Sequence, residues 1–162
     1  MIYILDTNII RKMCFHFPKK GKLFERIWMS LSSAIQQGSV ISVDECYNEL
    51  EKQLSSENES LKWLSENKTM FKAPSNAESL IMREIFKSKK FRESIHTKNI
   101  RDNRPSADAY LVAKAKCIGG VIVTAEEYKP NSAQLPNLCE AFGVQVVSYD
   151  DFMEYIQSNI DV

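Results

Sequence analysis

The chain has 162 residues, with 21 basic side chains against 21 acidic ones and no formal net charge; 44% of residues are hydrophobic and 26% charged. Those proportions suit a single folded domain over residues 1–162, and they exclude a disordered polyelectrolyte or a protein drawn to nucleic acid by net charge alone. No apolar run reaches the length of a bilayer span and no secretory pattern opens the chain, so a cytoplasmic location without membrane attachment is expected.

Ile2-Tyr3-Ile4-Leu5 reads as a short strand buried on both faces, as in parallel sheets, and it runs straight into Asp6-Thr7-Asn8. Asp6 then stands at the carboxyl edge of a strand, where α/β proteins gather ligands, although Asp6 or Asn8 equally suits a helix cap. Helical spacing of Leu23, Phe24, Ile27, Trp28, Leu31 and Ile35 predicts a helix over 22–37, stopped by Gly38. A second strand over 39–42 and a helix over 43–54 follow, the latter with Cys46, Leu50 and Leu54 on one side.

Residues 55–75 hold a serine-rich polar break, a short amphipathic piece around Leu61, Trp63 and Leu64, and Pro74; helical spacing resumes over 77–91. Arg104-Pro105-Ser106 makes a turn, with Ser106 placed to cap a helix over 107–117. Gly119-Gly120 closes that helix, 121–124 reads as a third strand, 138–142 as a short helix, 144–147 as a fourth strand and 149–160 as a final amphipathic helix. Short buried strands alternating with helices give an α/β class with a mainly parallel sheet. The stretch 55–104 is long for a crossover and is expected as a helical insert protruding over one sheet edge.

Four acids fall after successive strands: Asp6, Glu49 on the helix after strand two, Asp108 in a first helical turn, and Glu126 two residues past strand three. Each has an ordinary reading, since Asp108 complements a helix dipole and Glu49 suits a solvated face. Their common placement points instead to hard oxygen ligands for Mg²⁺ or Mn²⁺. Cys14, Cys46, Cys117 and Cys139 are scattered without a C-x-x-C pair and read as reduced thiols, and Cys14 with His16 lacks a second cluster to complete a metal site. Between residues 87 and 104, Lys87, Lys89, Lys90, Arg92, Lys98, Arg101 and Arg104 face only Glu93 and Asp102, with Phe86 and Phe91 interleaved. Such a run reads as an RNA track or, equally, as a solvated helix face with two core phenylalanines.

Leu5-Asp6-Thr7-Asn8, Asn48-Glu49-Leu50, residues 107–113 (Ala-Asp-Ala-Tyr-Leu-Val-Ala), Val123-Thr124-Ala125-Glu126, and Leu135-Pro136-Asn137-Leu138-Cys139 with Phe142-Gly143-Val144 occur in one order along the chain. In this the sequence resembles the PIN-domain ribonuclease superfamily and, within it, the PIN-like DUF4411 group. The resemblance implies a three-layer PIN-like fold with a five-stranded parallel sheet, four strands of which are visible above. It also implies a site of Asp6, Glu49, Asp108 and Glu126 holding Mg²⁺ or Mn²⁺, supported by Asn8 and Thr124, that hydrolyses RNA phosphodiesters. Many such proteins are toxins of toxin–antitoxin pairs, which implies a cognate antitoxin and a homodimer. One departure is that many PIN domains carry aspartate as the fourth acid, where this chain has Glu126 with Glu127 beside it.

Two other readings compete. Ile4-Leu5-Asp6-Thr7-Asn8 with residues 121–124 and 146–151 echoes haloacid-dehalogenase-like phosphatases, in which Asp6 would be the nucleophile. Asn8 cannot then protonate the leaving group, and Glu49 and Asp108 have no role. A catalytically weak RNA- or protein-binding PIN-like domain is the third reading.

Overall fold

The computed structural model describes residues 1–102 and 106–160. Among them, β1 (Tyr3–Leu5), β2 (Val40–Val43), β3 (Phe71–Lys72), β4 (Val121–Val123) and β5 (Val146–Val147) form one parallel sheet in the order β3-β2-β1-β4-β5. Tyr3 pairs with Val40 on one side and Val121 on the other, so β1 is the central strand. Its apolar run is continuous because helices cover both faces; β2, its neighbour, is buried at all four positions for the same reason. Chain order reverses between β1 and β4. The connections that leave the carboxyl ends of those two strands therefore run to opposite sides and leave a crevice between them, the usual ligand position of an open parallel sheet.

The helices are α1 (Thr7–His16), α2 (Glu25–Gln36), α3 (Asp44–Gln53), α4 (Asn58–Glu66), α5 (Asn76–Lys87), α6 (Lys89–Asp102), α7 (Asp108–Ile118), α8 (Leu135–Ala141) and α9 (Tyr149–Ser158). They give the three-layer PIN-like architecture, with α7 against β2 and β4 and α2 against β2 and α9. Gly119 ends α7 in the left-handed conformation (φ 67°). Gly120 lets the chain pass close to β1, since a Cβ there would lie 2.9 Å from Ile4 Cδ1 and 3.2 Å from the Ile2 carbonyl oxygen. No described helix is long and apolar enough to cross a membrane.

Three expectations need correction. The segment 55–104 is not a protruding arm: it supplies β3, the fifth strand, which pairs Phe71 with Ser42, and its α5 packs along α7. A buried ion pair between Lys114 Nζ and Glu78 Oε1 (2.7 Å) ties those two helices, and Lys114 also donates to the Ala73 carbonyl at 3.0 Å. The single helix expected over 77–91 is two helices, because Ser88 is extended (ψ 115°) and its carbonyl accepts from the Arg92 N–H to start α6. The chain after Asp6 forms α1 at once, a helix the periodicity did not single out. The expected turn at Arg104-Pro105 lies outside the described residues.

Candidate active site

The crevice between β1 and β4 is built by short-range bonds around Asp6. The Asp6 N–H donates to the Val123 carbonyl (3.0 Å), extending the ladder one residue past β1, and Ser42 Oγ donates to the Leu5 carbonyl at 2.6 Å. Asp6 occupies the N-cap position of α1, yet its carboxylate makes no capping bond. It accepts instead from Thr124 Oγ1 at 3.0 Å across the crevice. Of the two sequence readings of Asp6, the one at the strand edge describes the side chain.

Thr124 uses both capacities of its hydroxyl, since Oγ1 also accepts the Glu126 N–H at 3.1 Å and so sets the turn that brings Glu126 inward. Glu126 Oε2 accepts the N–H of Leu135, the first residue of α8, at 2.9 Å, where a carboxylate complements the helix dipole. Glu127 beside it is exposed. Glu49 reaches the site from α3, accepting a 2.5 Å bond from Thr7 Oγ1, and Asp108 sits buried in the first turn of α7, its N–H 3.4 Å from Ser106 Oγ.

The other three acids all act on Asp6. Asp6 is 5% exposed, and its carboxyl is pushed up from an ordinary 3.8 to about 8, first by burial and then by the charges of Asp108, Glu126 and Glu49, with the Thr124 bond opposing. Two buried thiols border the cluster. Burial, then Asp6, pushes the Cys46 thiol up, while burial, then Asp108 and Asp6, pushes Cys139 up to about 12. Both stay neutral near pH 7, so the donors offered are carboxylate oxygens, the set that fits Mg²⁺ or Mn²⁺ rather than a soft metal.

Among the described residues, no three acid, cysteine or histidine side chains converge closely enough to hold one ion as they stand. A lysine occupies that space. Lys98 Nζ, reaching in from α6, ion-pairs with Asp108 Oδ2 and lies 3.8 Å from Glu126 Oε1, its side chain 18% exposed. Burial alone would lower its pKa, but Asp108, then Glu126 and Asp6, carry it above the ordinary value.

Other described members of the basic run sit on the surface. Lys87 pairs with Glu84 (2.6 Å), Lys89 lies 3.9 Å from Glu93, Arg92 donates to the Phe86 carbonyl, and Lys90 and Arg101 are exposed. Phe91 is core, so it offers no ring to a base. Arg104 lies outside the described residues. A different surface adjoins the acids: a cleft of about 550 Å³ lined by Asn8, Arg11, Lys12, Phe15, Glu57 and Ala125, bordered by the loops that carry Asp6 and Glu126. Phe15 is 81% exposed there. Sequence reading named Asn8 but missed Arg11, Lys12 and Phe15, which follow it at helical spacing on one face of α1.

A central acid at the reversal point of a parallel sheet, ringed by acids from α3, α7 and the β4–α8 loop, places the chain in the PIN-like class of α/β proteins. The chain belongs to the family described as "Domain of unknown function (DUF4411)", which matches residues 3–160. Its fold is similar to that of a chain in the solved structure of VapBC-1 from nontypeable Haemophilus influenzae, at 17% identity and a TM-score of 0.51, covering 93% of this chain and 99% of that one. It is also similar to a chain of VapBC2 from Rickettsia felis, solved bound to a DNA fragment from the promoter, at 13% identity and a TM-score of 0.51, covering 91% of this chain and 98% of that one. No curated protein matches it significantly.

Proposed function

We propose that this protein is a divalent-metal-dependent endoribonuclease. The observation that carries the reading is the burial of Asp6 among Asp108, Glu126 and Glu49 at the sheet's reversal point, a gathering of carboxyl groups whose mutual repulsion a divalent cation would relieve. Asp6, Asp108, Glu49 and Glu126 would hold Mg²⁺ or Mn²⁺. Such an ion, when bound, supplies an activated water and offsets charge on the nonbridging phosphate oxygens.

The chain's own groups do the positioning. Thr124 fixes one oxygen of Asp6, Thr7 fixes one oxygen of Glu49, and the α8 N-terminus fixes Oε2 of Glu126, leaving Oε1 toward the cluster. Water oxygen joins phosphorus as the bond to the 3′-oxygen breaks, and the products are a 5′-phosphate and a 3′-hydroxyl. The substrate is single-stranded RNA lying in the α1 cleft, where Arg11 and Lys12 meet phosphates and the exposed Phe15 ring offers a stacking face. Toxin activity with a cognate antitoxin and a homodimeric resting state are the corresponding biological expectations, in keeping with a fold shared with VapBC chains. The phosphatase reading loses ground because Asn8 stands where its proton donor is needed while Glu49 and Asp108 join the cluster.

The test is cleavage of single-stranded RNA with Mg²⁺, with Mn²⁺ and with EDTA, by wild type and Asp6→Asn. Metal-dependent cleavage by wild type alone is expected. Equal rates for the two proteins, or cleavage undiminished in EDTA, would remove the proposal; Mn²⁺ binding without cleavage would favour the binding-domain alternative.

A further inference from the structure

We infer that the Lys98 ammonium is a built-in counter-ion of the acid cluster, one that a divalent ion must displace to bind. The inference rests on the reading of the four acids as a metal site. It deepens that reading by adding a residue that sets how tightly the site takes its ion.

Lys98 is held for this position rather than drifting there. Phe91 and Ile95 bury one stripe of α6, and Lys98 continues that stripe three residues further on. Ser94 Oγ bonds the Ala133 carbonyl (3.3 Å), which anchors the helix to the loop between β4 and α8. Asn99 Oδ1 accepts the Ser106 N–H at 2.7 Å, tying the residue after Lys98 to the segment that leads into Asp108. The backbone at Lys98 is thus fixed on both sides relative to Asp108 and Glu126.

The ammonium contacts acids from two different elements, so it replaces locally the charge compensation a metal would give. Two cations there would repel each other at ion-pair distance with reduced solvent screening, so binding of a divalent ion disfavours the ammonium in its present place. Lysine suits displacement better than arginine would: its charge is a compact point on a flexible stem, free to rotate outward while α6 stays docked, whereas a guanidinium fork would grip a carboxylate through two bonds. Metal affinity is accordingly set below what the four carboxylates alone would give, and the metal-free protein is spared an uncompensated acid cluster.

The experiment measures Mn²⁺ binding by calorimetry, with thermal melting in EDTA and in saturating Mn²⁺, for wild type and Lys98→Met. The variant should bind Mn²⁺ at least tenfold more tightly and melt below wild type in EDTA, the gap closing in Mn²⁺. On wild type itself, the ¹⁵N signal of the ion-paired Lys98 ammonium should be lost on adding Mg²⁺, a readout that holds even if the variant does not fold. Tight binding by wild type with equal or weaker binding by Lys98→Met, or an ammonium signal unchanged by saturating Mg²⁺, overturns the inference while leaving the metal site standing. If neither protein binds Mn²⁺, the metal reading falls and this inference falls with it.

Discussion

Replacing Asp6 with asparagine removes a group whose ionisation the metal-free fold accommodates poorly. The side chain is nearly isosteric, and its amide oxygen can still accept from Thr124 Oγ1, so packing at the crevice is preserved while the electrostatics change. In the folded protein Asp6 holds its proton up to about pH 8, whereas the unfolded chain releases it near 3.8. Between those values the folded state binds the extra proton, so stability falls as pH rises through the window and levels off above it. At pH 7 the accumulated cost is about 4 kcal/mol, and between pH 5 and pH 8 wild type should lose about 3 to 4 kcal/mol that Asp6→Asn keeps. Urea denaturation in EDTA at pH 5, 6, 7 and 8 reads this directly as a difference in slope. In saturating Mn²⁺ the order should reverse, since only wild type gains from ligand linkage. Parallel pH profiles for the two proteins in EDTA would show that Asp6 is not held protonated by its surroundings, and the account of the acid cluster would fail with it.

Three other perturbations test separate parts of the molecule. Glu78→Ala takes the carboxylate partner from the buried Lys114 ammonium and should cost about 3 to 5 kcal/mol in urea, most of it recovered in the Glu78→Leu, Lys114→Met double variant. Gly120→Ala drives a methyl against Ile4 and the Ile2 carbonyl and should cost about 1 to 3 kcal/mol by thermal melting, with Ile4→Val restoring part of it by removing Cδ1. Phe15→Ala should change stability by less than about 0.5 kcal/mol, because the ring is already in solvent. Combined with Arg11→Glu it should raise KM for single-stranded RNA about tenfold or more with kcat little changed; an unaltered KM would move the RNA path away from α1.

Which parts of this architecture a reader of the sequence can see follows from where each residue's constraint comes from. β1, β2 and β4 are legible because burial on both faces enforces short, almost wholly apolar runs, Asp6 and Glu126 because the ends of the β1 and β4 runs mark the sheet's carboxyl edge, and Asp108 because Ser106 marks a helix start. β3 is not: an edge strand of two residues, one buried and one exposed, carries no period to detect. The division of α5 from α6 at Ser88 is likewise a local backbone choice that a continuous helical spacing conceals.

The basic residues divide more instructively. Counting charge over residues 87–104 treats seven cations alike, although Lys87 and Lys89 pair with glutamates on the surface while Lys98 pairs with Asp108 and Glu126. Helical position separates Lys98 from the rest of α6. Phe91, Ile95 and Lys98 fall at i, i+4 and i+7, so this lysine extends an apolar stripe into the interior, where an unpaired ammonium is too costly to keep. A buried lysine on such a stripe demands a carboxylate at the stripe's end, and Asp108 is the acid that answers it. The same spacing applied to α1 groups Asn8, Arg11, Lys12 and Phe15 on a face where a large exposed aromatic gains nothing from the core. Cations on a buried stripe and aromatics on a solvated one break the ordinary partition of side chains in opposite directions, and in this chain the first meets the acids around Asp6 while the second lies on the helix that Asp6 begins.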